Sequence, residues 1–222
     1  MSNKTFPHSN FFSCKIAAIS LIILCQLLIG QSVVADIVRD ENGDISSIEY
    51  YSRGSKKLQL LKLETYHPNG HISTLESFSN GLKNGIYQEF YDNGIIKMDG
   101  QFSNGNESGL WTEYFKEGGT MRMFYANENG KHGSINEWYE NGEKKTNGIY
   151  SYGKKHGVWT AWYSNGVKES LVTYNNGKQE GVFSFFYENG NKKSEGTVSY
   201  RGEKEQRCWD INGNTQNCSK ES

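Results

Sequence analysis

Proline is almost missing from this 222-residue chain, with only Pro7 and Pro68 present. Proline cannot donate to a β-ladder, so nothing between Gly70 and Gly202 interrupts one. Long apolar runs are missing too, apart from Ile16 to Gly30, and no window beyond it holds a 3.6-residue apolar period. That excludes an α-helical fold after the N-terminus. Charge of one sign is missing: 24 Lys and Arg stand against 25 Asp and Glu. The near balance gives no electrostatic case for nucleic acid, which rewards clustered cations. No Gly-x-Ser-x-Gly elbow, phosphate loop or His-Glu-x-x-His pattern occurs. The sequence therefore predicts no catalytic residue, no cofactor and no metal site.

Glycine and aromatic residues are abundant, and both recur every 24 residues. An aromatic pair marks each copy: Phe90-Tyr91, Tyr114-Phe115, Trp138-Tyr139, Trp162-Tyr163 and Phe186-Tyr187. One glycine follows each pair by three residues, and another precedes it at Gly85, Gly109, Gly133, Gly157 and Gly181. Repetition at fixed spacing means one small unit stacked on copies of itself. Asn-Gly follows the pair position at Asn69-Gly70, Asn93-Gly94, Asn141-Gly142, Asn165-Gly166 and Asn189-Gly190. A second series stands at Asn80-Gly81, Asn104-Gly105, Asn129-Gly130 and Asn176-Gly177. Asn-Gly predicts type I′ hairpin turns, with positive φ at both residues. Two turns per period leave room for two strands of about six to eight residues. The expected fold is all-β, an elongated single-sheet meander of stacked β-hairpin repeats. Alternation puts Tyr87, Trp111, Ile135, Trp159 and Phe183 on one face. Phe90, Tyr114, Trp138, Trp162 and Phe186 fall on the other.

The segment Tyr152-Gly153-Lys154-Lys155-His156-Gly157-Val158-Trp159-Thr160-Ala161-Trp162-Tyr163-Ser164-Asn165-Gly166 resembles the MORN repeat in its bacterial variant form. The same variant occurs in an antitoxin-like family of the YwqK type. The resemblance covers residues 66–202 and implies stacked hairpins in one long, twisted meander. For function it implies membrane association, scaffolding, toxin neutralisation or a domain attached to an unrelated enzyme.

The first 35 residues differ from the rest. Lys4 and Lys15 precede the apolar run, and Val33-Val34-Ala35 suits cleavage after Ala35. This predicts a secretory signal peptide at 1–35 and an exported protein, in the periplasm or outside the cell. The run is shorter than the about 20 residues of a comfortable membrane span. An uncleaved anchor is the alternative, and the large Leu24 before Cys25 argues against a lipoprotein signal. Without the leader, 22 basic and 25 acidic residues leave a net charge of −3. The remaining cysteines, Cys208 and Cys218, flank the Asn212-Gly213 turn and predict a disulfide in an oxidising compartment. Two cysteines without histidines beside them are too few for zinc. His67 and His71 flank the Pro68-Asn69-Gly70 turn, where solvation accounts for them. Residues 36–65 read as a degenerate N-terminal capping repeat, 66–202 as the repeats, and 203–222 as a disulfide-closed hairpin and tail.

Two charged columns are in phase. Glu89, Glu113 and Glu137 accompany the Trp111 and Trp159 column, and Lys144, Lys168 and Lys192 lie on second strands. As solvated ladders they discourage aggregation. As one bipolar face they suit a charged protein partner, which makes these eight residues the candidate binding face. The leading expectation is an exported, non-enzymatic protein that binds a protein partner. Its specific form is an immunity or antitoxin protein that covers a toxin's active cleft. The alternative is a membrane-surface or envelope scaffold.

Overall fold

The computed structural model describes residues 33–53 and 57–218. They form one antiparallel sheet of 16 strands, in which the order in space is the order in the chain. The strands are β1 (Val33–Arg39), β2 (Ile45–Arg53), β3 (Leu58–Tyr66), β4 (Ile72–Ser79), β5 (Leu82–Phe90) and β6 (Ile96–Ser103). Then come β7 (Asn106–Tyr114), β8 (Thr120–Asn127), β9 (Gly130–Trp138), β10 (Lys144–Ser151) and β11 (Lys154–Trp162). The last are β12 (Lys168–Asn175), β13 (Lys178–Phe186), β14 (Lys192–Val198), β15 (Lys204–Trp209) and β16 (Thr215–Gln216). At about 4.8 Å between strands, such a sheet is roughly 70 Å long. The predicted leader lies outside the described residues except for Val33–Ala35, which open β1.

The two turn series differ, which corrects the expectation of type I′ turns throughout. The second series is type I′: Asn80, Asn104 and Asn176 have φ near +50° and their glycines near +80°. Asn129-Gly130 does not belong to it, because only Gly130 has positive φ there. The fourth type I′ turn of the series is Tyr152-Gly153, between β10 and β11, with φ of 49° and 73°. In the first series only the glycine is left-handed. Gly94 N–H donates to Tyr91 O at 2.9 Å, and Tyr91 N–H donates to Ile95 O at 2.8 Å, which closes a three-residue loop. Asn93 keeps an ordinary φ because its Oδ1 accepts from Ile95 N at 3.1 Å, the local bond that suits Asn to turns.

Each repeat also carries two irregularities in pairing. The register shifts opposite the in-phase glycines, as between Asp99 and Gln101 facing Gly109. It shifts again just after each first-series turn, as between Glu113 and Tyr114, where Met121 is the extra residue. Bulges of this kind bend a strand and increase its twist.

A single sheet has no second layer to cover it, yet one face buries a core. Trp111, Phe124, Ile135, Trp159, Val172 and Phe183 are all buried on it. The indoles of Trp111 and Trp159 lie over the α-carbons of Gly100 and Gly148, so that large residues sit beside absent side chains. Phe102 packs edge-on against Trp111 at 5.2 Å and Tyr150 against Trp159 at 5.0 Å. Lysines roof the rings: the Lys131 ammonium is 4.6 Å from Phe124, and that of Lys155 is 4.2 Å from Trp159. Their long stems cover apolar surface while the charge meets a ring face. Burial, with the nearby Arg122 charge, pushes the Lys131 ammonium below its usual range.

Candidate binding faces and a cleft between turns

The structure divides the predicted bipolar face. Trp111 and Trp159 are core, 1% and 6% exposed, and offer no surface to a partner. Glu89, Glu113 and Glu137 share their face, but none stands bare. Lys97 pairs with Glu89 at 2.6 Å, and that hydrogen bond holds the Lys97 ammonium above its ordinary range. Arg122 pairs with the buried Glu113 and comes within 3.8 Å of Glu137. The bulge at Met121 is what brings Arg122 opposite Glu113.

Lys144, Lys168 and Lys192 are opposite Trp138, Trp162 and Phe186 across their hairpins, because a three-residue loop sets that register. Directly opposed residues share a face, so the lysines lie on the side away from the glutamates. Lys144 and Lys168 are exposed, while Lys192 pairs with Glu195 and lies over Trp209. Cys208 and Cys218 are bonded across the last turn, with α-carbons 5.2 Å apart.

The face opposite Trp111 carries a row that the sequence reading did not single out. Leu110, Tyr125, Ile149, Val158 and Val182 fall along β7, β8, β10, β11 and β13, and each is 40–54% exposed. A mixed row, in which Thr112, Asn136, Asn147 and Thr160 share places with Met123 and Leu171, separates it from the half-buried Tyr114, Trp138 and Trp162. For Leu110, Val158 and Val182 the signal was present in the sequence as the residue just before a buried Trp or Phe; Tyr125 and Ile149 instead follow Phe124 and Gly148 on the second strands.

The first-series turns are bonded to one another along one side of the sheet. Tyr91, Tyr139, Tyr163 and Tyr187 each donate a phenol O–H to the carbonyl of Tyr114, Trp162, Phe186 or Trp209, at 2.8–2.9 Å. Asn69, Asn93, Asn141, Asn165 and Asn189 each donate Nδ2–H to the neighbouring turn's backbone. His67 takes the tyrosine's place, and its Nε2 donates to Phe90 O at 2.9 Å. His71 Nδ1 donates to Asp92 O at 2.8 Å. Both histidines are thus bonded to the next turn, which corrects the reading of them as merely solvated.

Among the described residues of the 24-residue register, one turn gives its neighbour no such bond. It has Phe115 where the others have Tyr or His, and Glu117 where they have Asn. A cleft of about 670 Å³ lies at that place, lined by Phe115, Arg122, Trp138, Tyr139, Glu140 and Lys145 among others.

Three segments, residues 83–104, 155–176 and 179–199, match the family described as MORN repeat variant. No curated protein matches the chain. Among solved structures, one similar to it is the Photorhabdus luminescens Tc holotoxin pore, at 9% identity and a TM-score of 0.25. That match covers 80% of this chain and 11% of the other, so this chain spans a small part of that protein. Another is a protein of unknown function from Bacteroides fragilis, at 9% identity and a TM-score of 0.16, covering 83% of this chain and 97% of that one. The chain carries MORN repeats of the variant type, stacked as one open antiparallel sheet.

Proposed function

We propose that this is a non-enzymatic repeat protein that binds a protein partner through the face opposite Trp111. The observation that carries this reading is the exposed row of Leu110, Tyr125, Ile149, Val158 and Val182 on an uncovered sheet. Exposed apolar residues clustered on one face, here with only Ser134 and Thr173 between them, mark interaction surfaces. The neighbouring Lys144 and Lys168 add positive charge to the same face and suit an acidic rim on the partner. An immunity or antitoxin role, with the sheet occluding a toxin's cleft, is the specific form proposed.

Ile149→Lys with Val158→Lys tests this, because exposed positions tolerate charge within about 0.5 kcal/mol. Affinity capture from the native envelope should recover a discrete protein with the wild type and lose it with the variant. Equal recovery by both would contradict the proposal. A membrane-surface scaffold is the second reading, favoured by the lysines set beside Trp138 and Trp162. Co-sedimentation with anionic vesicles that Lys144→Glu with Lys168→Glu abolishes, and no protein captured, would put it first.

Export through residues 1–35 belongs to the same proposal. Cleavage after Ala35 removes the three residues of β1 that pair with Ser52, Tyr51 and Tyr50, and keeps Asp36 to Arg39. Mass spectrometry of the exported protein should find Asp36 at its N-terminus, and a soluble exported chain with its leader intact would contradict this.

A further inference from the structure

The cleft at residues 115–119 lies on the Trp111 side, away from the face proposed for the partner. Its chemistry follows from what is missing. Elsewhere the phenol two residues before each turn Asn, and the Asn itself, donate to two carbonyls of the next turn. Here the equivalent carbonyls are those of Trp138 and Glu140, and Phe115 and Glu117 have no donor to offer them. Met121 stands where three other copies place Lys97, Lys145 and Lys193 and one places Glu169. A guest in the cleft therefore meets two backbone carbonyls that lack the turn-to-turn bonds of the other copies, and N–H or O–H groups on the guest would supply them.

Charge narrows the guest further. Glu113, Glu137 and Glu140 line the cleft against Arg122 and Lys145, a lining charge of −1. Arg122 is engaged by Glu113 and Glu137, which leaves it a poor anchor for an anion. The Lys145 ammonium lies 5.6 Å from the Tyr139 ring centre, so that ring already receives a cation. A planar group with several donors satisfies carbonyls and a carboxylate together while stacking on an aromatic ring. Guanidinium does this, and an ammonium, with its compact charge, does it less well. We propose that this break in the turn column is a recognition pocket for a guanidinium group, carried by an arginine side chain.

The test titrates the purified protein with acetyl-arginine amide, acetyl-citrulline amide and free arginine, following the backbone amides of Tyr139 and Glu140, which line the cleft, by NMR. Acetyl-arginine amide should shift them saturably, with a Kd on the order of millimolar for a single side chain. The neutral citrulline analogue should bind at least tenfold more weakly. Amide affinity equal to or above that of free arginine assigns the guanidinium to a protein segment. Free arginine binding tenfold tighter assigns it to the free amino acid. The double variant Phe115→Tyr, Glu117→Asn restores the turn of the other copies, so it should fold normally and lose at least tenfold in arginine affinity. No saturable shift, equal binding of the citrulline analogue, or wild-type affinity in the double variant would each overturn the proposal.

Discussion

The indole of Trp111 rests directly on the α-carbon of Gly100, so that a β-carbon built there would meet Trp111 Cδ2 at 2.3 Å. Trp111 is buried and is flanked by Tyr87, Phe102 and Phe124, so it has no room to retreat. Gly100→Ala should therefore destabilise the protein by about 1–3 kcal/mol, the usual cost of overpacking. Gly148→Ala should do the same beneath Trp159. Combining Gly100→Ala with Trp111→Leu should recover part of the loss, a coupling measurable by urea unfolding of the two single variants and the double. Additive losses would show that the ring and the glycine are independent.

The turn column makes a second prediction. Tyr139→Phe removes the donor to Trp162 O and should cost about 0.5–1.5 kcal/mol. Phe115→Tyr adds that donor where it is missing and should stabilise by a similar amount. Hydrogen exchange should report the first change in the turns at 139–143 and 163–167 and the second in those at 115–119 and 139–143, and leave β2 unchanged, since each repeat contacts only its neighbours.

Acid should act first at Glu64. This buried carboxylate accepts from Tyr50 Oη at 2.9 Å and Tyr66 Oη at 2.8 Å, and pairs with Lys62 at 2.6 Å. Burial opposes its ionisation, but the Lys62 and phenol contacts outweigh it and hold the carboxyl below its ordinary range. Its contribution is therefore complete above the ordinary carboxylate pKa of about 4.3 and fades as pH falls through the lowered value. The stability gap between wild type and Glu64→Gln, measured by thermal unfolding, should be largest near neutrality and shrink below about pH 4. A gap constant from neutral to acid pH would contradict this.

The disulfide should protect only its own end. Closing the short loop between Cys208 and Cys218 contributes about 2–3 kcal/mol on the chain-entropy estimate. Cys208→Ser should raise hydrogen exchange in β14 and β15 and leave Trp138 protected. Global unfolding of that variant would mean a more cooperative array than nearest-neighbour packing allows.

Much of this architecture was legible in the sequence because strand alternation and turn chemistry repeat in step. The period placed the hairpins, and alternation put the Trp111 and Trp138 columns on different faces. Pairing across hairpins was not legible. Whether Lys144 faces Glu137 or Trp138 depends on loop length and on one extra residue, and a shift of one residue changes the face. The same extra residue, Met121, brings Arg122 to Glu113 and turns an apparent surface charge into a buried pair. Burial on the Trp111 face was hidden as well, because the cover comes from lysine stems and edge-on rings rather than a second layer. The cleft appears only when Phe115 and Glu117 are compared with Tyr and Asn at the same bonded positions.

The most direct test of the central claim is photocrosslinking in the native envelope. A photoreactive residue is placed at Val158, at Val182, or at Lys97 on the opposite face. The account predicts one discrete protein adduct from positions 158 and 182 and none from position 97. Adducts of equal yield at all three positions, or lipid adducts alone from 158 and 182, would contradict it.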